Sequence, residues 1–234
     1  MGMGVNSVAM MLMLLDQKDE FEAIFVDHGT DWPETYEYFD MFQGWLKDHG
    51  HKPITVLKPS YKGLSSLYDY ALQTFRTPSI QFRWCTGKFK ISPIQHYVET
   101  PCFMLIGIDA GESKRAKIST KKGIENRWPL IESEIDRNGC IKIIQEHGLP
   151  IPMKSGCYIC PFQKVNQWKE LRKNHPDLFC KASILEKVNM KSRKDKGKKQ
   201  ITLCGNGKSL ETVVDEHQGN LFEQDNYPPC SCGL

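Results

Sequence analysis

The sequence predicts an α/β fold, a doubly wound and mostly parallel sheet that carries a helical, cysteine-bearing C-terminal part. Three observations predict it. Short apolar runs alternate with longer helical patterns up to Glu134, as sheet-and-crossover units do. From Ile135 onward the pattern is helical with loops. A chain of 234 residues with 40% hydrophobic content is long enough to bury one sizeable core. The expected organisation is an α/β domain over 1–134, with a helical region over 135–234 packed on the same core.

In chain order, residues 5 to 17 (VNSVAMMLMLLDQ) have helical periodicity, and EAIFVD is a short β-type run. PETYEYFDMFQGWLKDHG opens with Pro33 at a helix start and closes with Gly50. PITVLKP reads as a second strand and GLSSLYDYALQTF as a helix. KFKISPIQHYVE reads as a helix broken near Pro93, and PCFMLIGIDA as a third strand. DRNGCIKIIQEHG, NQWKELRKNHP and DLFCKASILEKV are the later helices. No internal repeat is visible.

The formal charge of +3 does not announce a nucleic acid by itself. The run KVNMKSRKDKGKK, Lys187 to Lys199, is nevertheless dense in Lys and Arg. It suits a basic docking loop for tRNA or DNA, or a solvated connection, and it holds no aromatic residue. No stretch suits a membrane span or a signal peptide, so a cytoplasmic protein is expected. Nine cysteines without a secretion signal argue against a disulfide framework and leave metal binding, redox chemistry or burial. Cys102 and Cys140 read as inert core residues, with Cys180 and Cys204 leaning the same way.

In an open α/β sheet, ligands lie beyond the C-terminal ends of strands. Gly2, Gly4, Val5, Asn6 and Ser7 open the first helix, where free amides and small residues admit a phosphate. An ordinary Asn/Ser-capped start fits the same residues. Asp27, His28, Gly29 and Thr30 follow a strand and suit a ribose or base edge, or simply a strand-to-helix turn. Asp109, Glu112 and Arg115 follow Gly107 at the next strand end, with Arg115 a candidate anion contact.

Taken in order, GMGVNSVAM, FVDHGTDWPETYEY, RWCTGKFKISPI, LIGIDAGESKR, NRWPLIE and KSGCYICPFQ resemble the phosphoadenosine phosphosulfate (PAPS) reductase family. That family lies within the adenine-nucleotide alpha-hydrolase (PP-loop) superfamily, whose fold is HUP-like and Rossmann-like. More narrowly the chain resembles a cysteine-rich branch found in phages and related to DNA-phosphorothioation proteins. The resemblance implies a pyrophosphate loop at Gly2 to Ser7, a nucleoside contact at Asp27 to Thr30, and a closing loop from Gly107 to Arg115. It implies ATP or PAPS as the nucleotide, with Mg²⁺ a further candidate. Two departures stand out: neutral Asn6 takes the place of an Asp in the loop, and the family's central first strand would have to lie upstream of Gly2.

The resemblance also gives the cysteines a role. Cys85 lies beside Arg83, Lys88 and Lys90, which favour a thiolate, and Cys157 and Cys160 form a C-x-x-C. With Cys232, or Cys230, from the tail they suit a [4Fe-4S] cluster, which the family branch implies, or a structural zinc. A rival reading makes Cys232 a nucleophile, since SCGL resembles a reductase tail. Arg83, Lys88 and Arg115 are the expected catalytic cations. The function implied is sulfonucleotide reduction or adenylation-coupled sulfur transfer, with a sulfur- or electron-donor protein as partner. The alternative is a non-catalytic nucleotide sensor with structural zinc.

Overall fold

The computed structural model describes residues 1–119, 121–205 and 207–216. Helix α1 (Val5–Asp16) is followed by strand β1 (Ile24–Val26), helix α2 (Pro33–Asp48) and strand β2 (Thr55–Leu57). Then come α3 (Leu67–Gln73), α4 (Trp84–Thr86), a π-helical turn over Gly87–Ile91, and α5 (Ser92–Tyr97). Strand β3 (Cys102–Leu105), a 3-10 turn over Ala110–Arg115 and strand β4 (Ile124–Arg127) complete the first half. The rest is helical: α6 (Pro129–Glu132), α7 (Arg137–Glu146), α8 (Val165–Asn174), α9 (Pro176–Asp195) and α10 (Leu210–Glu216).

The strands are parallel, as the alternation predicts, but they form two separate pairs rather than one sheet. Ile24 faces Thr55 where β1 meets β2, and Cys102 faces Ile124 where β3 meets β4. β1 and β3 both border one large cleft, so the strand ends that should carry ligand-binding loops flank it from two sides.

Two apolar clusters hold the fold, and neither stops at residue 134. Val8, Ala9, Leu12, Phe25, Phe42 and Leu46 pack with Cys140, Ile144 and Leu149. Tyr70 and Phe89 pack with Ile159, Trp168, Leu171 and Leu185. Helix α1 is buried along nearly its whole length, which explains why its sequence carries apolar residues on every face.

Local sequence rules explain three differences from expectation. The break read near Pro93 is a change of helix type rather than an interruption: the π-helical turn ends at Ile91 and α5 begins at Ser92, with Pro93 in its first turn. The basic run from Lys187 is helical up to Asp195, because its Met, Lys and Arg residues are good helix formers; it turns out of the helix at Gly197, with φ +62°. That places Lys196 Nζ 5.8 Å from the Phe75 ring centroid, an aromatic neighbour from another segment. Strand β4 ends in the first two residues of the NRWPLIE stretch, Asn126 and Arg127, and escaped notice because IENR has neither apolar continuity nor alternation. Among the single cysteines, Cys140 is buried and burial pushes its thiol up to about 12. Cys180, by contrast, is exposed rather than core.

Candidate functional site

The cleft has a volume of about 1730 Å³ and is lined by Gly2, Gly4, Val5, Asn6 and Ser7 from the start of α1. Gly4 is the N-cap residue in extended conformation (φ −89°, ψ 166°), and no side chain caps the first turn. The amide end of α1 therefore borders the cleft with no cap from its own N-cap residue, and helix N–H groups there favour an anion. Gly4 does not need a positive φ; its importance lies in space, since a Cβ there would come within 2.9 Å of Ser155 Oγ.

Asn6 is the hinge of a charged row across this end. Its Nδ2 donates to Asp109 Oδ2 at 2.8 Å, and its Oδ1 accepts from Arg137 Nη1 at 2.9 Å. Asp109 is buried, and all three side chains border the cleft. A neutral amide is the residue that can bridge a carboxylate and a guanidinium at once; an Asp at this place would face Asp109 as a like charge. Gly107 packs directly on the same turn, because a Cβ there would lie 3.1 Å from Ser7 Cα and 3.2 Å from Asn6 C and O.

Glu112 and Arg115 line the same cleft and form an ion pair with each other. Of the second loop, His28 and Asp31 border the cleft. Asp27 is occupied otherwise: its Oδ1 accepts from Gly29 N at 3.0 Å and from Tyr36 Oη at 2.9 Å, which holds the turn. Gly29 contributes the positive φ of +71° that this turn uses. Lys88 Nζ sits 3.7 Å from the Tyr61 ring centroid, a cation–π arrangement outside the cleft lining.

The thiols lie next door. Cys85, Cys157 and Cys160 border one small pocket of about 20 Å³ together with Arg83, Thr86 and Lys90; Cys232 and Cys230 fall outside the described residues. The expectation that nearby cations make Cys85 a thiolate is corrected here, because burial pushes its thiol up and outweighs the opposing effect of Lys90.

Cys157 also faces the first half of the chain. Its Sγ is 3.7 Å from His28 Nε2 and 3.8 Å from Asp31 Oδ1, while His28 Nε2 is 3.6 Å from Asp31 Oδ2. Thr30 Oγ1 lies 2.8 Å from His28 Nδ1 and orients the ring. The backbone fixes the register: Asp31 and Cys157 form an antiparallel bridge, Tyr158 N donates to Thr30 O at 2.8 Å, and Trp32 N donates to Gly156 O at 3.1 Å. Burial holds the His28 imidazolium below its ordinary pKa in spite of Asp31.

Asp31, Ser155 and Arg137 are the site residues that sequence reasoning missed. Asp31 and Ser155 stand inside the quoted motifs and could have been found there. Arg137 follows Asp136, which caps α7 by accepting from Gly139 N at 2.8 Å; only the packing of α7 on α1 brings it to Asn6.

Residues 1–129 match the phosphoadenosine phosphosulfate reductase domain. The chain is also 21% identical over 196 residues to an uncharacterized protein of Methanocaldococcus jannaschii, an alignment that covers 76% of this chain and 44% of that protein. The chain thus spans less than half the length of that relative.

Proposed function

Because the chain belongs to the phosphoadenosine phosphosulfate reductase domain family, and so to the PP-loop superfamily, we propose that it is an enzyme that binds an adenine nucleotide, ATP or PAPS, in the large cleft and performs sulfur chemistry beside it. The observation that carries the reading is the uncapped amide end of α1 opening on a cleft bordered by Asn6, Asp109 and Arg137. The α1 amides and the helix dipole would take phosphate oxygens, and Arg137 would add a cation at the same end. Asp109 supplies a buried carboxylate where the loop itself has none.

The thiols give the sulfur chemistry its place. An iron–sulfur cluster on Cys85, Cys157, Cys160 and Cys232 would supply electrons or bind sulfur there, and what supports it is that three of the four border one pocket. Among the described residues, no helix is long and apolar enough to cross a membrane. A nucleic-acid acceptor on the Lys187 to Lys199 segment, and a separate electron or sulfur donor, belong to the same proposal.

Isothermal titration with ATP and PAPS, followed by product assays, tests the reading. Sulfite from PAPS identifies a reductase, and pyrophosphate from ATP identifies adenylation. Tight binding with neither product would replace the enzyme by a nucleotide sensor. Gly4→Val should lower nucleotide affinity about tenfold or more, since its side chain displaces Ser155 and fills the approach to the α1 amides. Ser7→Ala should cost only about 1–2 kcal/mol of binding, the scale of one hydrogen bond to a charged group. Unchanged affinity in Gly4→Val would move the nucleotide elsewhere.

A further inference from the structure

His28, Asp31 and Cys157 form the one group of three or more His, Cys, Asp or Glu ligand atoms, among the described residues, that lies close enough together to share an ion. All three are buried. They supply one imidazole nitrogen, one carboxylate and one thiolate, a donor set that suits zinc and related divalent transition ions rather than Mg²⁺ or Ca²⁺.

The spacing supports a single ion. Bonds of about 2.0–2.3 Å at a tetrahedral centre place ligand atoms roughly 3.3–3.6 Å apart. Cys157 Sγ and His28 Nε2 are 3.7 Å apart, and Asp31 offers Oδ1 at 3.8 Å from Sγ and Oδ2 at 3.6 Å from Nε2. One carboxylate oxygen lies within 4.8 Å of both, so a small turn of the carboxylate closes the three around an ion.

The site is also built in advance. Thr30 holds the His28 ring by Nδ1, so Nε2 is the nitrogen turned to Cys157; outer hydrogen bonds of this kind are how metal-binding imidazoles are oriented. The Asp31–Cys157 backbone bridge sets two of the ligands opposite each other across segments far apart in sequence. A divalent ion would also neutralise a carboxylate and a thiolate that burial otherwise penalises.

We infer that His28 Nε2, an Asp31 carboxylate oxygen and Cys157 Sγ hold one divalent transition-metal ion, zinc by donor type, with a fourth position open for water or a sulfur ligand. His28 and Asp31 border the nucleotide cleft while Cys157 borders the cysteine-lined pocket, so the ion joins the two. This inference rests on the nucleotide reading for its setting but gives Cys157 a different occupant from the cluster.

The test is metal and sulfide analysis of the full chain purified without oxygen, with Co²⁺ titration of the metal-stripped protein. One zinc per chain is expected, with no sulfide. Cobalt should give a thiolate-to-metal charge-transfer band and visible bands of a tetrahedral centre. His28→Ala and Cys157→Ser should lose both, and Cys85→Ser should keep both. Circular dichroism checks that the variants fold, and the titration of the unaltered protein decides the matter even where they do not. Iron with equimolar sulfide that survives His28→Ala overturns the inference in favour of the cluster and leaves the nucleotide reading intact. Absence of zinc together with no cobalt band also overturns it, leaving a hydrogen-bonded triad.

Discussion

Gly107→Val is expected to abolish the proposed nucleotide binding in isothermal titration and to lower the melting temperature. The cause is contact with backbone rather than with a mobile side chain: the new Cβ would lie 3.1 Å from Ser7 Cα and 3.2 Å from Asn6 C and O. Main-chain atoms of a helix's first turn cannot rotate away, so the loop after β3 or the start of α1 must move. Overpacking of this kind costs about 1–3 kcal/mol. The same displacement misaligns the α1 amides and the Asn6–Asp109 bond that border the cleft, so affinity falls well beyond the tenfold of Gly4→Val. Gly44→Ala is the matched control. It lies inside α2 with nothing within 4 Å of a new Cβ, and should gain about 0.5–1 kcal/mol. Binding and stability both unchanged in Gly107→Val would remove the close approach of this loop to α1.

Glu186→Ala is expected to give the largest loss of stability. Glu186 is fully buried on α9, and its two oxygens accept from Leu203 N at 2.7 Å and Leu210 N at 2.6 Å. It thereby ties the segment after α9 and the first residue of α10 to the core. Alanine leaves two buried donors without a partner, at about 1–3 kcal/mol each, so the denaturation midpoint should fall sharply. Glu186→Gln should lie between, since an amide offers one acceptor where two donors point. Burial raises this carboxyl above its ordinary value of 4.5. The folded protein therefore keeps the proton to higher pH than the unfolded chain does. The resulting stabilisation is complete below 4.5 and disappears as pH rises through the raised folded value. The stability difference between the unaltered protein and Glu186→Gln should shrink over that interval, and a difference that grows with pH would show the carboxyl to be depressed instead.

Local signals carried much of the architecture. Pro33 marked the start of α2, and the apolar runs around Phe25 and Phe103 marked β1 and β3, because burial and periodicity are written in neighbouring residues. The division into two strand pairs was not legible, since pairing depends on segments distant in sequence. In the site, the glycines and Asn6 at the head of α1 were singled out by their place at a helix start and by the family resemblance, and they line the large cleft. Asp27 was given a ligand role when it holds a turn, and either use puts the same residue at the same strand end. Arg137 and the partnership of His28 with Cys157 come from tertiary packing alone. A sequence names the donors, but only the fold says which of them meet.

The sharing of apolar clusters across residue 134 has a practical outcome. A fragment ending at residue 129, where the family match stops, would strip Cys140, Ile144 and Leu149 from α1 and uncover a helix apolar on nearly every side. It would also lose the strand-like contact that Cys157 makes with Asp31. Such a fragment should collect in inclusion bodies or bind hydrophobic dyes, so swapping this segment into a relative requires the helices downstream to travel with it.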